Sequence, residues 1–171
     1  TPYFFLKAWT LEFYFKTDSV AEQQFIGTLT DGSSWRTGWA LDVTAGELKW
    51  DYDDLDPGEG KKDLGITISA NTWYFCRVQR TPSSPAKTAG NLFVEVYDSP
   101  TNLIGSFEGV VGDDELHSNN GLKIGDVNGN SSNLTGNWLF ANVMITSGYH
   151  RRGTVPTLSS GQRAVSTIDG Y

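Results

Sequence analysis

Tryptophan is the residue type in this sequence with the clearest capacity to bind a ligand. Trp35 follows a Gly/Ser turn and stands directly before Arg36. An indole stacks on the C–H face of a sugar ring, while nearby polar groups bind the hydroxyls. We therefore expect Trp35 to be a sugar platform, with Arg36 and Asp31 as hydrogen-bonding partners. Three further candidates for this surface are Trp39, Trp50 and Trp138. Their alternative interpretation is core packing, because Trp is highly buried on average.

Two polar stretches carry the oxygen ligands that calcium prefers. Asp126, Asn128 and Asn130 alternate along one Gly-containing stretch, and Asp53 and Asp56 belong to a dense acidic run. Calcium takes about six to eight oxygen ligands, and a cation relieves the repulsion between crowded carboxylates. The sequence thus predicts Ca²⁺ as a candidate cofactor. The alternative is that these side chains only hydrogen bond to the backbone of turns.

Residues for acid–base or nucleophilic catalysis are scarce. His117 and His150 are the two histidines of the chain, too few for a His-rich metal site or a Ser/His/Asp triad. Asp51 and Asp53 alternate on one predicted strand, about 6.6 Å apart, but any acidic strand yields such a pair. Cys76 alternates with apolar residues, which predicts a buried thiol. We expect the chain not to be an enzyme.

The charge of the chain narrows the classes of partner. The formal net charge is −7, which repels the phosphates of nucleic acids and anionic membranes. No stretch reaches the ~18 to 20 apolar residues that span a bilayer, so we expect no membrane insertion. The single cysteine allows no internal disulfide. We expect neither nucleic acid nor membrane as a partner.

Period-two alternation dominates the chain and predicts strands. Residues 9–16 (WTLEFYFK) place Trp9, Leu11, Phe13 and Phe15 on one face and polar residues and Tyr14 on the other. Similar patterns occur at 39–44, 47–52, 73–80, 92–97 and 138–146, with shorter ones at 25–29, 66–69, 103–107 and 122–124. No helical stripe is present. The pattern predicts an all-β sandwich of two antiparallel sheets.

The order of these segments resembles a known superfamily. A strand opened by Trp (72–78, TWYFCRV) is followed by a hairpin partner (91–97, NLFVEVY), a Leu-x-Ile-Gly strand (121–125, GLKIG) and a closing strand (136–145, GNWLFANVMI). This is similar to the concanavalin A-like lectin/glucanase superfamily, in particular its laminin-G-like jelly rolls, and covers residues 8–147. The resemblance implies two curved sheets, and binding of glycans, proteins or lipids, often with calcium, on the loop rim or the concave sheet.

Together these features predict a single jelly-roll domain over 1–171, in which 150–171 form an edge strand or a linker-like tail. The chain begins Thr-Pro without Met, so we interpret it as a domain excised from a larger extracellular or virion-associated protein. The expected function is non-catalytic binding of polysaccharide or cell-surface glycan. The alternatives are a structural or assembly domain of a phage fibre, capsid or adhesin that self-associates, and a glycoside hydrolase of the same fold.

Overall fold

The computed structural model describes residues 8–28, 38–53, 60–82, 89–112, 122–125, 136–148 and 155. These residues form strands and turns, and no helix lies among them. The strands are β1 (Trp9–Thr17), β2 (Gln23–Gly27), β3 (Gly38–Thr44), β4 (Glu47–Asp53), β5 (Gly60–Thr67), β6 (Tyr74–Pro82), β7 (Ala89–Ser99), β8 (Asn102–Gly112), β9 (Lys123–Ile124) and β10 (Trp138–Ser147).

The strands form two five-stranded antiparallel sheets that pack face to face. Sheet A has the order β10-β1-β6-β7-β8, and sheet B has the order β5-β4-β3-β2-β9. Strand β1 therefore lies between two strands that follow it much later in the chain. Its residue Leu11 is opposite Val78 on one side and Ile145 on the other. The expected all-β, two-sheet jelly-roll sandwich is confirmed.

The core is built from the alternating residues that the sequence singles out. On β1, Trp9, Leu11, Phe13 and Phe15 all have 0% exposure and point toward sheet B. Full burial of each large apolar side chain contributes roughly 1.5–3 kcal/mol to folding. The alternation along β1 thus fixes which of its faces meets the second sheet.

Two tryptophans proposed as sugar platforms belong to this core. Trp39 and Trp50 are fully buried. The Trp39 ring stacks between Trp9, with centroids 5.0 Å apart, and Trp50, with centroids 4.8 Å apart. The prediction that Trp39 and Trp50 present exposed faces is wrong, because both sit on the inward side of sheet B, where the stack fills the space between the sheets.

Trp138 closes the opposite end of the core. Its ring stacks on Phe25 with centroids 4.4 Å apart, and its Nε1–H donates to Oε1 of Gln23 at 2.7 Å. Trp138 is half-buried. Because one ring face and the indole N–H are already engaged within the protein, we reassign Trp138 from ligand binding to packing between β10 and β2.

The side of sheet B that points away from sheet A carries an ionic cluster around Lys61. Its Nζ lies 2.6 Å from Asp42, 2.9 Å from Glu22 and 3.8 Å from Asp51. Burial raises the pKa of the Asp42 carboxyl, although the hydrogen bond from Lys61 opposes this. Burial alone would lower the pKa of Lys61, but hydrogen bonds to Asp42 and Glu22 and the neighbouring negative charges raise it above 10.5. The ammonium group thus pairs with three carboxylates at once.

Replacement of the central indole should test the tryptophan stack. We expect Trp39→Ala to lower the free energy of unfolding by about 3–5 kcal/mol, since it leaves a cavity between two other indoles. Leu139→Ala is the control, because Leu139 is 41% exposed and its loss should change stability by about 0.5 kcal/mol or less. Urea unfolding of both variants measures the difference. Equal effects would contradict the assigned stack.

The Lys61 cluster should make the protein sensitive to alkali. The pKa of Lys61 in the folded state is raised above 10.5. The stabilisation by the charged ammonium is therefore fully present below pH 10.5 and is lost as the pH rises through the pKa of the folded state. We expect the melting temperature to fall less steeply above this pH in Lys61→Gln than in the wild type. Lys62→Gln is the control. Lys62 is the next lysine in the sequence, but its ammonium lies 5.8 Å from the centroid of the Phe107 ring and not in the Lys61 cluster. A wild-type slope in Lys61→Gln would contradict the assignment.

Candidate functional site

Sheet A buries side chains on both of its faces, whereas a simple amphipathic sheet buries one face and exposes the other. We name the side that points away from sheet B the outer face. It carries Thr10, Arg77, Gln79, Phe93 and Glu95, all of which are buried. A buried outer face with charged residues demands internal pairing, because an unpaired buried charge is costly.

An ionic row crosses three strands at the middle of the outer face. The register places Glu12 of β1 opposite Arg77 of β6, and Arg77 opposite Glu95 of β7. Nε of Arg77 donates to Glu12 at 2.6 Å, and Nη1 donates to Glu95 at 3.2 Å. The side chain of Arg77 is 4% exposed, against 14% for Glu12 and 6% for Glu95. One guanidinium therefore joins two carboxylates across the sheet.

An aromatic row lies directly beside the ionic row. Tyr14, Phe75 and Tyr97 are opposite one another on β1, β6 and β7. The Phe75 centroid lies 5.1 Å from that of Tyr14 and 6.2 Å from that of Tyr97. The Arg77 guanidinium lies 5.4 Å from the centroid of the Phe75 ring, within the range of a cation–π contact. The two rows are thus packed against each other.

One pocket, the aromatic pocket, opens at the end of the aromatic row. Its volume is about 240 Å³. Val155 packs on this part of the sheet with Tyr14, Phe75 and Ala141 and forms part of the pocket wall. The described lining residues are Tyr14, Trp73, Phe75, Tyr97, Asp98, Ser99, Pro100 and Val155. The pocket combines ring faces with a carboxylate and a hydroxyl.

A second pocket, the edge pocket, lies on the other side of Tyr14 and Phe75. It has a volume of about 340 Å³. Strand β10 bulges here, where the register with β1 shifts between Glu12 and Tyr14, and Asn142 takes a φ of +50°. The described lining residues are Glu12, Tyr14, Phe75, Asn142, Val143 and Met144. The bulge thus forms the wall of this pocket.

The outer face also carries the exposed large apolar side chains of the described residues. They lie on the two outermost strands of sheet A and are Leu103, Val110, Leu139 and Met144, with 41–66% exposure. By register they share the side of the sheet that carries the two rows. The surface that remains apolar is therefore the surface that holds both pockets.

Tyr14 is the ionisable group common to both pockets. Burial raises the pKa of its phenol, and the charge of Glu12 raises it further. Tyr14 therefore stays protonated at neutral pH and contributes an aromatic ring and an O–H group to the walls of both pockets.

Most residues predicted as ligand or metal sites lie outside the described residues. These are Asp31, Trp35, Arg36, Asp56, Asp126, Asn128 and Asn130. Of Asp53 the backbone is described, opposite Gly38. Ile124, which precedes the Asp126 stretch, is opposite Ile26 in an antiparallel pair. Strands β4 and β9 run in opposite directions in sheet B.

Within the described part of the chain, no group of three or more His, Cys, Asp or Glu is arranged to hold a metal ion. Cys76 is fully buried, and burial raises the pKa of its thiol. The prediction of a buried cysteine is confirmed. The same described part contains no helix that is long and apolar enough to span a membrane.

Several residues of the two pockets are not among the candidates predicted from the sequence. Trp73 is not among the predicted ligand-binding residues, yet it lines the aromatic pocket and is only half-buried. Glu12 has no acidic neighbour along its strand, and its partner Arg77 comes from β6 and also binds Glu95 of β7. The sequence signal that could have found these residues is the alternation along the strands. It places Glu12, Tyr14, Phe75 and Arg77 at positions that point away from the core.

Comparisons with known proteins bear on the fold. No protein-family model matches the sequence, and no curated protein matches it. An alginate lyase from Aplysia kurodai has a similar structure, with a TM-score of 0.51 and 11% identity, over 83% of this chain and 70% of that chain.

Two further solved structures are similar at lower scores. The binding domain of botulinum neurotoxin serotype D gives a TM-score of 0.48 and 15% identity, over 82% of this chain and 32% of that chain. An endo-β-1,4-glucuronan lyase from Trichoderma reesei gives 0.43 and 11%, over 83% and 69%. This chain therefore spans about a third of the neurotoxin domain. The likeness to the alginate lyase shows a shared jelly-roll sandwich fold.

Proposed function

We propose that this chain is a non-catalytic carbohydrate-binding module and that its ligand, a polysaccharide or cell-surface glycan, lies on the outer face of sheet A. The aromatic pocket is the observation that carries this proposal. Trp73 and Tyr97 are half-buried rings beside Asp98 and Ser99. Rings of this kind stack on the C–H face of a sugar, and the carboxylate and hydroxyl bind its hydroxyl groups.

The contrast between the two sheets supports the choice of face. The side of sheet B that points away from the core carries Lys61, Asp42 and Asp51 in mutual ion pairs. The outer face of sheet A carries rings, two pockets and exposed apolar side chains. A ligand that is part apolar and part polar fits the second surface better.

The shared fold is compatible with this proposal but does not carry it. One protein with this sandwich is an alginate lyase, so the architecture can serve a protein that acts on a polysaccharide. Function depends on the site and not on the fold. The proposal also includes a calcium ion at the Asp53 or Asp126 stretch. It includes an extracellular or virion-associated location as well.

A structural or assembly role is the second candidate function. The four exposed apolar side chains on the outer face, Leu103, Val110, Leu139 and Met144, favour it, because such a surface also suits a second copy of the chain. The two roles differ in solution. An assembly domain self-associates through this face, whereas a binding module remains monomeric and is stabilised by its ligand.

Loss of the pocket rings should weaken glycan binding. A ligand that binds only the folded state raises the melting temperature, so melts with a panel of soluble polysaccharides, with calcium or EDTA, identify the ligand. We then expect Trp73→Ala and Asp98→Asn to weaken binding roughly tenfold, which is about 1.4 kcal/mol. Asp98 is exposed, so its variant preserves the fold.

Leu139→Ala is the matched control for these variants. Leu139 is exposed on the same face and lines neither pocket, so the variant should bind the glycan with the affinity of the wild type. Retained affinity in both pocket variants would overturn the assignment of the site. A dimer that Leu139→Lys dissociates, in a chain that no polysaccharide stabilises, would establish the assembly role instead.

The ion pairs of the ionic row should stabilise the fold. Both carboxylates bind the same guanidinium, which distinguishes them from the two catalytic carboxyl groups that flank a glycosidic bond. Removal of one partner of a buried ion pair costs about 3–5 kcal/mol, and we expect this loss of unfolding free energy for Arg77→Met. The triple variant with Glu12→Gln and Glu95→Gln should recover part of it. Unfolding curves measure both, and an unchanged stability in Arg77→Met would contradict the assignment.

A further inference from the structure

The two pockets are separated by a single shared wall. Tyr14 and Phe75 line both of them, with the aromatic pocket on the side of Tyr97 and the edge pocket on the side of Met144. Met144 lies on β10 and Tyr97 on β7, which are three strand spacings apart in sheet A, or about 14 Å. That span exceeds one sugar ring and suits a short oligosaccharide that crosses the wall.

We propose that the two pockets are adjacent subsites for an oligosaccharide of at least two rings, and that the edge pocket selects a ring with an N-acetyl or free amino group over one with a carboxylate. This inference rests on the proposed function and names the class of its ligand. It assigns the edge pocket, which otherwise has no role.

The lining of the edge pocket supplies the groups that an acetamido substituent requires. Glu12 is an acceptor, and its two oxygens offer about four lone-pair positions, so it accepts an N–H in addition to the bond from Arg77. The Asn142 side chain is both donor and acceptor. Met144, 47% exposed, and Val143 provide apolar surface for a methyl group.

The charges among the described lining residues of both pockets disfavour an acidic sugar. The charged residues among the described lining are Glu12 and Asp98, both negative. The neighbouring Arg77 is positive but donates to Glu12 and Glu95, so the ionic row keeps one net negative charge. A uronate carboxylate would meet this charge at close range, which discriminates against it. An amino or acetamido group meets no such repulsion.

Four tetrasaccharides test the selection: a chitotetraose of N-acetylglucosamine, a chitosan tetramer with free amino groups, cellotetraose and a tetramer of mannuronate. We expect the two nitrogen-bearing probes to bind at least tenfold more tightly than mannuronate, as measured by calorimetry at low salt. N-acetylglucosamine itself should bind more weakly than chitotetraose, because it fills one subsite.

Two variants locate the selection in the edge pocket. Asn142→Gly removes the side chain at a positive φ that glycine adopts freely, and Met144→Ala removes the apolar wall. We expect each to weaken chitotetraose binding five- to tenfold and to leave cellotetraose unchanged. The matched controls are Asn71→Gly, at a φ of +63° in a turn, and Leu139→Ala, and both should bind as the wild type does.

The failures of the two proposals are distinguishable. If none of the four probes binds and no polysaccharide raises the melting temperature, the proposed function itself is overturned. If glycans bind but mannuronate binds as tightly as chitotetraose, the selection is wrong while the module stands. If the monosaccharide binds as tightly as the tetramer, or both edge-pocket variants keep full affinity, the second subsite is wrong.

Discussion

Burial of both sides of the central strands of sheet A is the constraint on which the rest of the structure depends. Residues on β1 alternate between the core and the outer face, yet Phe13 and Tyr14 are both buried. The outer half of the alternation includes charged residues, which are stable at such low exposure only when they are paired. Arg77 meets this requirement by bonding Glu12 and Glu95. The register that places these three residues in line also sets Tyr14, Phe75 and Tyr97 in line.

The fold was largely predictable, because the central strands carry a strong alternation. The segments at 9–16, 39–44 and 73–80 coincide with β1, β3 and β6 within two residues. The prediction was poorest at the sheet edges. The sequence indicates a strand only at 66–69, whereas β5 begins at Gly60. An edge strand has a neighbour on one side, so exposed lysines and a positive-φ Gly65 are tolerated and dilute the pattern.

The candidate site was less predictable than the fold, because it depends on which strands are neighbours. Glu12 and Arg77 are 65 positions apart, and Arg77 and Glu95 are 18 apart. Nothing local in the sequence links them. Alternation also shows that Trp39 and Trp50 share a face with apolar residues, but tryptophan chemistry fits a core and a sugar platform equally well. Their burial and the half-exposure of Trp73 are decided by the packing of the two sheets.

The same dependence explains why a shared sandwich does not transfer a ligand. The backbone scaffold that this chain shares with an alginate lyase fixes where outward side chains stand, at intervals set by strand spacing and register. It does not fix their charge. Here the central row of the outer face holds one guanidinium between two carboxylates, so the arginine acts within the protein and the row presents negative charge. Under the proposed function, the charge that the ligand meets there is therefore set by these three side chains and not by the fold.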